Sequence, residues 1–146
     1  MYKRQILDYL NGKTGNYFGK NDEERSEILR WVLWDNSKLS GSLGPTRFLM
    51  NFIPKDKKPV EVINYLQKRN DTALAVLESH LSGKNWVAAD QLSAADLSCC
   101  SYLFYPEEFG FDRKSYPNID RWLSNIEELE NWKHPYDLLE RAYPPK

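Results

Sequence analysis

The chain has 146 residues and a mass of 17.2 kDa, the size of one domain. With 20 Lys+Arg against 21 Asp+Glu and a pI near 6.1, it lacks the basic face that gripping phosphate backbones requires, so nucleic acid is not expected as a partner. Hydrophobic residues make up 41% of it at a mean hydropathy of −0.68, which excludes a disordered chain, and no apolar run approaches the ~18 residues of a membrane span.

Cys99 and Cys100 are neighbours, too close for a structural staple and without C-x-x-C spacing, which points to a reducing compartment. Residues 1–30 show no secretory pattern, so a cytoplasmic protein is expected. Met1 to Gln5 read as a processing scar. Met-Tyr-Lys-Arg-Gln is what a GTG start followed by TAT AAG AGA CAG encodes, the tail of a transposon end used in preparing sequencing libraries.

In chain order, Ile6, Leu7 and Leu10 give a short helix expected to stop at Gly12, and Gly12–Lys20 is the candidate linker. Asn21 with Glu24 three residues on predicts a capped helix start, with Asp22 and Glu23 suiting the positive end of the helix dipole. That helix is apolar on nearly all sides through Ile28, Leu29, Trp31, Val32, Leu33 and Trp34, so it must face its own bundle and something else. Ser40 to Pro45 should kink or break it before it resumes through Arg47, Phe48, Leu49 and Phe52. Lys55, Lys57 and Lys58 read as a solvated loop.

Pro59 as a first-turn proline opens a helix of about 23 residues, with Val62, Ile63, Leu66, Ala73, Leu74, Leu77 and Leu81 inside and Gly83 closing it. Ser93 and Asp96 form a capping box, with Leu92 and Leu97 as a hydrophobic staple. The helix they start, carrying Leu97, Cys100, Ser101 and Phe104, should be central and buried until Pro106 stops it. Pro117 opens another around Ile119, Trp122, Leu123, Ile126 and Leu129, and Pro135 a last one around Leu138 and Leu139. No segment alternates with period two, so the fold class expected is all-α, a helical bundle.

This order of elements resembles the C-terminal domain of the cytosolic glutathione transferases, bacterial ones in particular, over nearly the whole chain after Gln5. The most specific piece is Trp86 to Leu97, W-V-A-A-D-Q-L-S-A-A-D-L, similar to the family's V-x-G-D-x-x-S-x-A-D stretch, with Ala89 where the family has glycine. Ile6-Leu7-Asp8-Tyr9-Leu10 looks like the end of the motif in which Gln-Ser or Glu-Ser precedes Ala-Ile-x-x-Tyr-Leu. The resemblance implies a fragment: residues 6–20 end the last helix of a thioredoxin-like domain and its linker, and residues 21–146 are the all-helical C-terminal domain. The thiol-activating domain would lie upstream, and the chain by itself should be inactive.

The implied chemistry is attack of the glutathione thiolate on a small electrophile or a disulfide, with glutathione as co-substrate and a homodimer as the assembly. The helical domain would supply the apolar wall and a few polar contacts. Asn36, Lys38 and Arg47 are candidates for those contacts, or ordinary solvated and capping side chains. Trp31 and Trp34 line the hydrophobic subsite, bury in a dimer contact or pack in the core. Tyr105, with Tyr102 and Phe104, approaches the same pocket or joins the core. Ser93 and Asp96 are structural. His80 and His134 have no spaced partner, so no metal is expected. A non-catalytic interaction module, as in translation elongation factor 1 gamma or tRNA synthetase complexes, is the alternative.

Overall fold

The computed structural model of the protein describes residues 3–105 and 107–139, and all regular structure among them is helical. Helix α1 (Lys3–Thr14) runs two residues beyond Gly12 and ends at Gly15, whose φ of +71° suits a residue without a side chain. Glycine weakens a helix by only about 1 kcal/mol, so Gly12 is carried inside it. Helix α2 (Asp22–Trp34) begins where the capping pattern places it. The Asn21 side chain accepts from the Glu24 N–H at 2.8 Å, while the Glu24 carboxylate reaches the Lys20 N–H at 2.9 Å, one residue ahead of the cap.

The irregularity expected at Ser40 to Pro45 lies earlier. Residues Asp35–Leu39 form a π turn, with the Ser40 N–H bonded to the Asp35 carbonyl five residues back, and α3 (Ser40–Asn51) then runs unbroken through Gly41, Gly44 and Pro45. The cause is a side chain. Asp35 Oδ1 also accepts from the Ser40 N–H at 3.2 Å and the Ser40 hydroxyl at 2.5 Å, stitching the wide turn shut. Two glycines of α3 serve close approach: a Cβ at Gly41 would meet the Asn36 carbonyl oxygen at 2.8 Å, and one at Gly44 the Tyr102 hydroxyl at 2.7 Å.

Helix α4 (Val60–His80) packs along α3 and α6, burying Ile63, Ala73, Leu74 and Leu77. Fully buried aliphatic side chains such as Leu74 and Leu77 contribute about 2 kcal/mol each. Pro59 immediately precedes this helix instead of lying in its first turn, and Val62 is exposed while Ile63 beside it is buried.

Helix α5 (Ala94–Cys99) is the central one, packed against α2 and α1, and continues as a 3-10 turn over Cys100–Tyr102. Its small residues Ala94, Ala95, Ser98 and Cys99 are buried, whereas Leu97 is half-buried and not the core residue expected. The helical winding ends before Pro106, which lies outside the described residues. Ser93 and Asp96 form the capping box, and the Asp96 carboxylate also accepts from the Val87 N–H at 2.8 Å and the Trp122 indole at 2.9 Å.

Helix α6 (Pro117–Glu127) buries Ile119, Trp122, Leu123 and Ile126 as its spacing predicts. Helix α7 (Pro135–Leu138) differs from expectation: Leu138 and Leu139 are exposed and no residue of the helix is buried. Its contacts are made by Tyr136 and His134 instead.

Candidate functional site

At the heart of the site is a carboxylate. Asp35 is fully buried where α2 passes into its π turn, and its Oδ2 accepts from the Ser98 hydroxyl of α5 at 2.6 Å. With the two bonds from Ser40, this ties three elements to one side chain. Lys3 and Arg4 of α1 add ion pairs to Oδ2 at 3.1 and 2.9 Å. Ser40 and Ser98 hydrogen-bond the same carboxylate, which a buried charge needs beside its ion pairs.

Above this cluster a depression of about 370 Å³ opens between α1, the π turn and the end of α5. Lys3, Arg4, Asn36, Ser40, Gly41, Ser101, Tyr102 and Tyr105 line it. The far wall is held from behind. The Arg47 guanidinium lies 4.0 Å from the Tyr105 ring centre, donates to Glu107 Oε2 at 3.0 Å and donates to the Tyr136 hydroxyl at 2.6 Å. The Tyr136 hydroxyl in turn donates to Glu107 Oε1. Burial acts to raise the Glu107 carboxyl, but the hydrogen bonds from Tyr136 and Arg47 outweigh it and hold it below the usual carboxylate range. Burial, with Glu107 beside it, raises the Tyr136 hydroxyl.

A second groove, about 660 Å³, runs between α2 and α4 and is lined by Trp34, Lys38, Tyr65, Lys68, Arg69, Thr72, Ala73 and Val76. Leu29 and Leu33, the outer face of α2, are exposed as well. Among the described residues no group of three His, Cys, Asp or Glu could hold a metal ion, and no helix is long and apolar enough to cross a membrane.

Residues 46–130 match the family described as Glutathione S-transferase, C-terminal domain. The chain belongs to that family. It is similar to glutathione S-transferase D6 of Drosophila melanogaster, 28% identical over 131 residues that cover 86% of this chain and 58% of the relative. It is likewise similar to the disulfide-bond oxidoreductase YfcG of Escherichia coli, 26% identical over 121 residues, 83% of this chain and 55% of that one. A glutathione transferase of Burkholderia graminis, solved with two glutathione molecules bound per subunit, superposes with a TM-score of 0.77 at 25% identity, covering 86% of this chain and 55% of that one. The chain thus spans a little over half the length of these relatives.

Within this glutathione transferase domain the residues singled out from the sequence separate. Asn36 and Tyr105 line the first depression, with Arg47 behind Tyr105. Trp34 and Lys38 line the second groove. Trp31 is in the core, its indole donating to Glu27 at 3.0 Å and its ring 4.9 Å from Trp34 and 4.1 Å from His80. Ser93 and Asp96 sit in the interior at the start of α5. Sequence reasoning missed Asp35, Ser40, Ser98 and Ser101, although an acidic residue directly after the apolar run Trp31 to Trp34 and two serines three apart at the buried helix were signals available to it.

Proposed function

We propose that the chain is the substrate-binding and dimerisation domain of a glutathione transferase, in which a glutathione thiolate attacks a small electrophile or a disulfide. The observation that carries this reading is the depression at the junction of α1 with the π turn and α5, lined by the tyrosines Tyr102 and Tyr105 together with Asn36, Ser40 and Ser101. That mixture suits an apolar substrate with a few polar anchors. Asn36 and Tyr105 would contact substrate or glutathione, and Arg47 would hold Tyr105 in place.

Helix α1 supports the division into domains. Ile6, Tyr9 and Leu10 are all exposed and form an apolar stripe along α1. In this reading residues 6–20 close a thioredoxin-like domain that packs on the stripe and supplies the group that lowers the thiol pKa, and residues 21–146 form the helical domain. Met1 to Gln5 would be the scar, so that positions 3 and 4 hold other residues in the natural protein. The second groove and the exposed Leu29, Leu33, Tyr65 and Val76 suit a second copy of the chain, with Trp34 and Lys38 at the contact. A cytoplasmic, metal-free homodimer is the form proposed.

The test is to sequence the source DNA upstream of the Ile6 codon and express the complete frame. A thioredoxin-like domain upstream, with conjugation of a chlorinated aromatic electrophile by the full protein and none by the 146-residue chain, is expected. A stop codon or an unrelated domain there would overturn the proposal and leave a helical interaction module. Turnover by the chain alone would overturn the division of labour.

A further inference from the structure

The second groove carries three cations and no carboxylate. Lys38 comes from the π turn and Lys68 and Arg69 from α4, and none of the residues lining the groove is acidic. Arg69 donates to the Ser37 carbonyl at 3.2 Å, but among the described residues none of the three cations enters an ion pair. Glu61, near the start of α4, is exposed and enters none either. Glu61, Tyr65 and Arg69 follow one another at four-residue steps and so share one face of α4, with Tyr65 between the charges 60% exposed. At ~1.5 Å of rise per residue the two charges stand about 12 Å apart along the axis, too far to pair with each other. The face reads acid, aromatic, base. A second such helix running the opposite way presents base, aromatic, acid against it.

We propose that two copies of the chain meet antiparallel along α4 about a twofold axis at Tyr65, so that Glu61 of each copy pairs with Arg69 of the other. A twofold contact puts the same patch on both sides, and the register then decides which charges meet. An axis between Lys68 and Arg69 would set cation against cation, and one at Glu61 would set acid against acid. One at Thr72 would set Arg69 opposite Ala75 and leave Glu61 beyond its reach. The axis at Tyr65 sets Glu61 against Arg69 twice, the two Tyr65 rings against each other, and exposed Val62 against the aliphatic stem of Lys68. Packed helices have axes about 8–10 Å apart, and both charges lie about one turn from the crossing point, where long side chains still bridge the gap. Glu61 of the second copy thereby supplies the carboxylate that the cationic groove lacks. The pairing rests on the homodimer reading given under the proposed function, and adds to it the register and the residue that each copy lends the other.

The test is sedimentation equilibrium of the 146-residue chain and of two variants, alone and mixed. The parent chain should form a dimer that weakens with added salt. Glu61→Arg sets arginine against arginine at both ends of the seam, and Arg69→Glu sets glutamate against glutamate, so each variant alone should dimerise about tenfold more weakly. An equimolar mixture of E61R and R69E faces the arginines of one chain with the glutamates of the other, and should dimerise about as tightly as the parent. The doubly substituted chain, with both pairs reversed, should do the same. Single variants that dimerise like the parent would overturn the pairing and leave the homodimer reading standing. So would a mixture no tighter than either variant alone, or a double variant that stays weak. A parent chain that remains monomeric would overturn the pairing and the homodimer reading together.

Discussion

The indole N–H of Trp122 donates to Oδ1 of Asp96 at 2.9 Å, joining α6 to the start of α5 inside the core. The same carboxylate accepts from the Val87 N–H, the Ser93 N–H at 2.9 Å and the Ser93 hydroxyl at 2.7 Å. Four donors therefore depend on one buried side chain. Asp96→Ala should lower unfolding free energy in urea by about 3 kcal/mol or more, since each stranded buried donor carries its own desolvation cost. Trp122→Phe removes one of the four and should cost about 1 kcal/mol beyond its change in packing.

Asp35 ties the other side of α5. Asp35→Ala leaves the Ser98 and Ser40 hydroxyls without their carboxylate acceptor, while the Ser40 N–H keeps the Asp35 carbonyl, and should destabilise the chain by about 2–4 kcal/mol. If the carboxylate stitches the π turn, the Ser40 amide should lose protection more than the α4 amides do. Equal loss throughout would make the effect one of global stability alone.

Gly44 lies against the Tyr102 ring, with an added Cβ 2.7 Å from the hydroxyl and 2.9 Å from the carbon that bears it. Gly44→Ala should cost about 1–3 kcal/mol through overpacking. Adding Tyr102→Phe should recover part of that cost, because one of the two close atoms is removed, and thermal melts of the single and double variants would measure the coupling.

The Glu107 carboxyl is held below its ordinary value of 4.5 by Tyr136 and Arg47 against the opposing effect of burial. A depressed folded value contributes stability above the unfolded pKa and loses it as pH falls through the folded one. The melting temperature of the parent chain should therefore exceed that of Glu107→Gln near neutral pH, and the difference should shrink as pH falls below about 4.5. A constant gap across that range would show that the carboxylate charge plays no part.

Both cysteines are buried, and burial pushes the Cys100 thiol up to about 12. Iodoacetamide at mildly alkaline pH should leave the folded chain unmodified and label both residues in urea, as mass spectrometry would read. Rapid labelling of the folded chain would place one thiolate at the surface.

The parts of the fold that were legible are those written in contiguous residues. Ile119, Trp122, Leu123 and Ile126 recur at helical spacing and are all buried, and the Ser93–Asp96 box can be read letter by letter. The irregularity of the long helix was misplaced because glycine and proline were weighed by propensity, while the wide turn is stitched by a carboxylate bonding five residues ahead. Leu138 and Leu139 mark the last short helix in the sequence, but letters alone do not show whether a surface exists for them to pack on, and both are exposed. Asn36, in the π turn, and Tyr105, beyond the 3-10 turn that follows α5, are the two expected site residues that line the first depression. The bond between Asp35 and Ser98 spans 63 residues, and no local pattern announces it.

The π turn at Asp35–Leu39 amounts to one residue more than regular winding would use. Five residues of this wide winding sweep about the angle that four sweep in a regular helix. Removing a single residue from 36–38 would therefore let α2 and α3 join as an ordinary helix with Leu43 and Thr46 still in the core and Arg47 still beside Glu107. What would go is the bulge itself, with the bond from the Ser40 N–H to the Asp35 carbonyl and the rim of the depression at Asn36. The extra codon serves the depression and not the core: a deletion here would trim the edge of the pocket and leave the bundle standing.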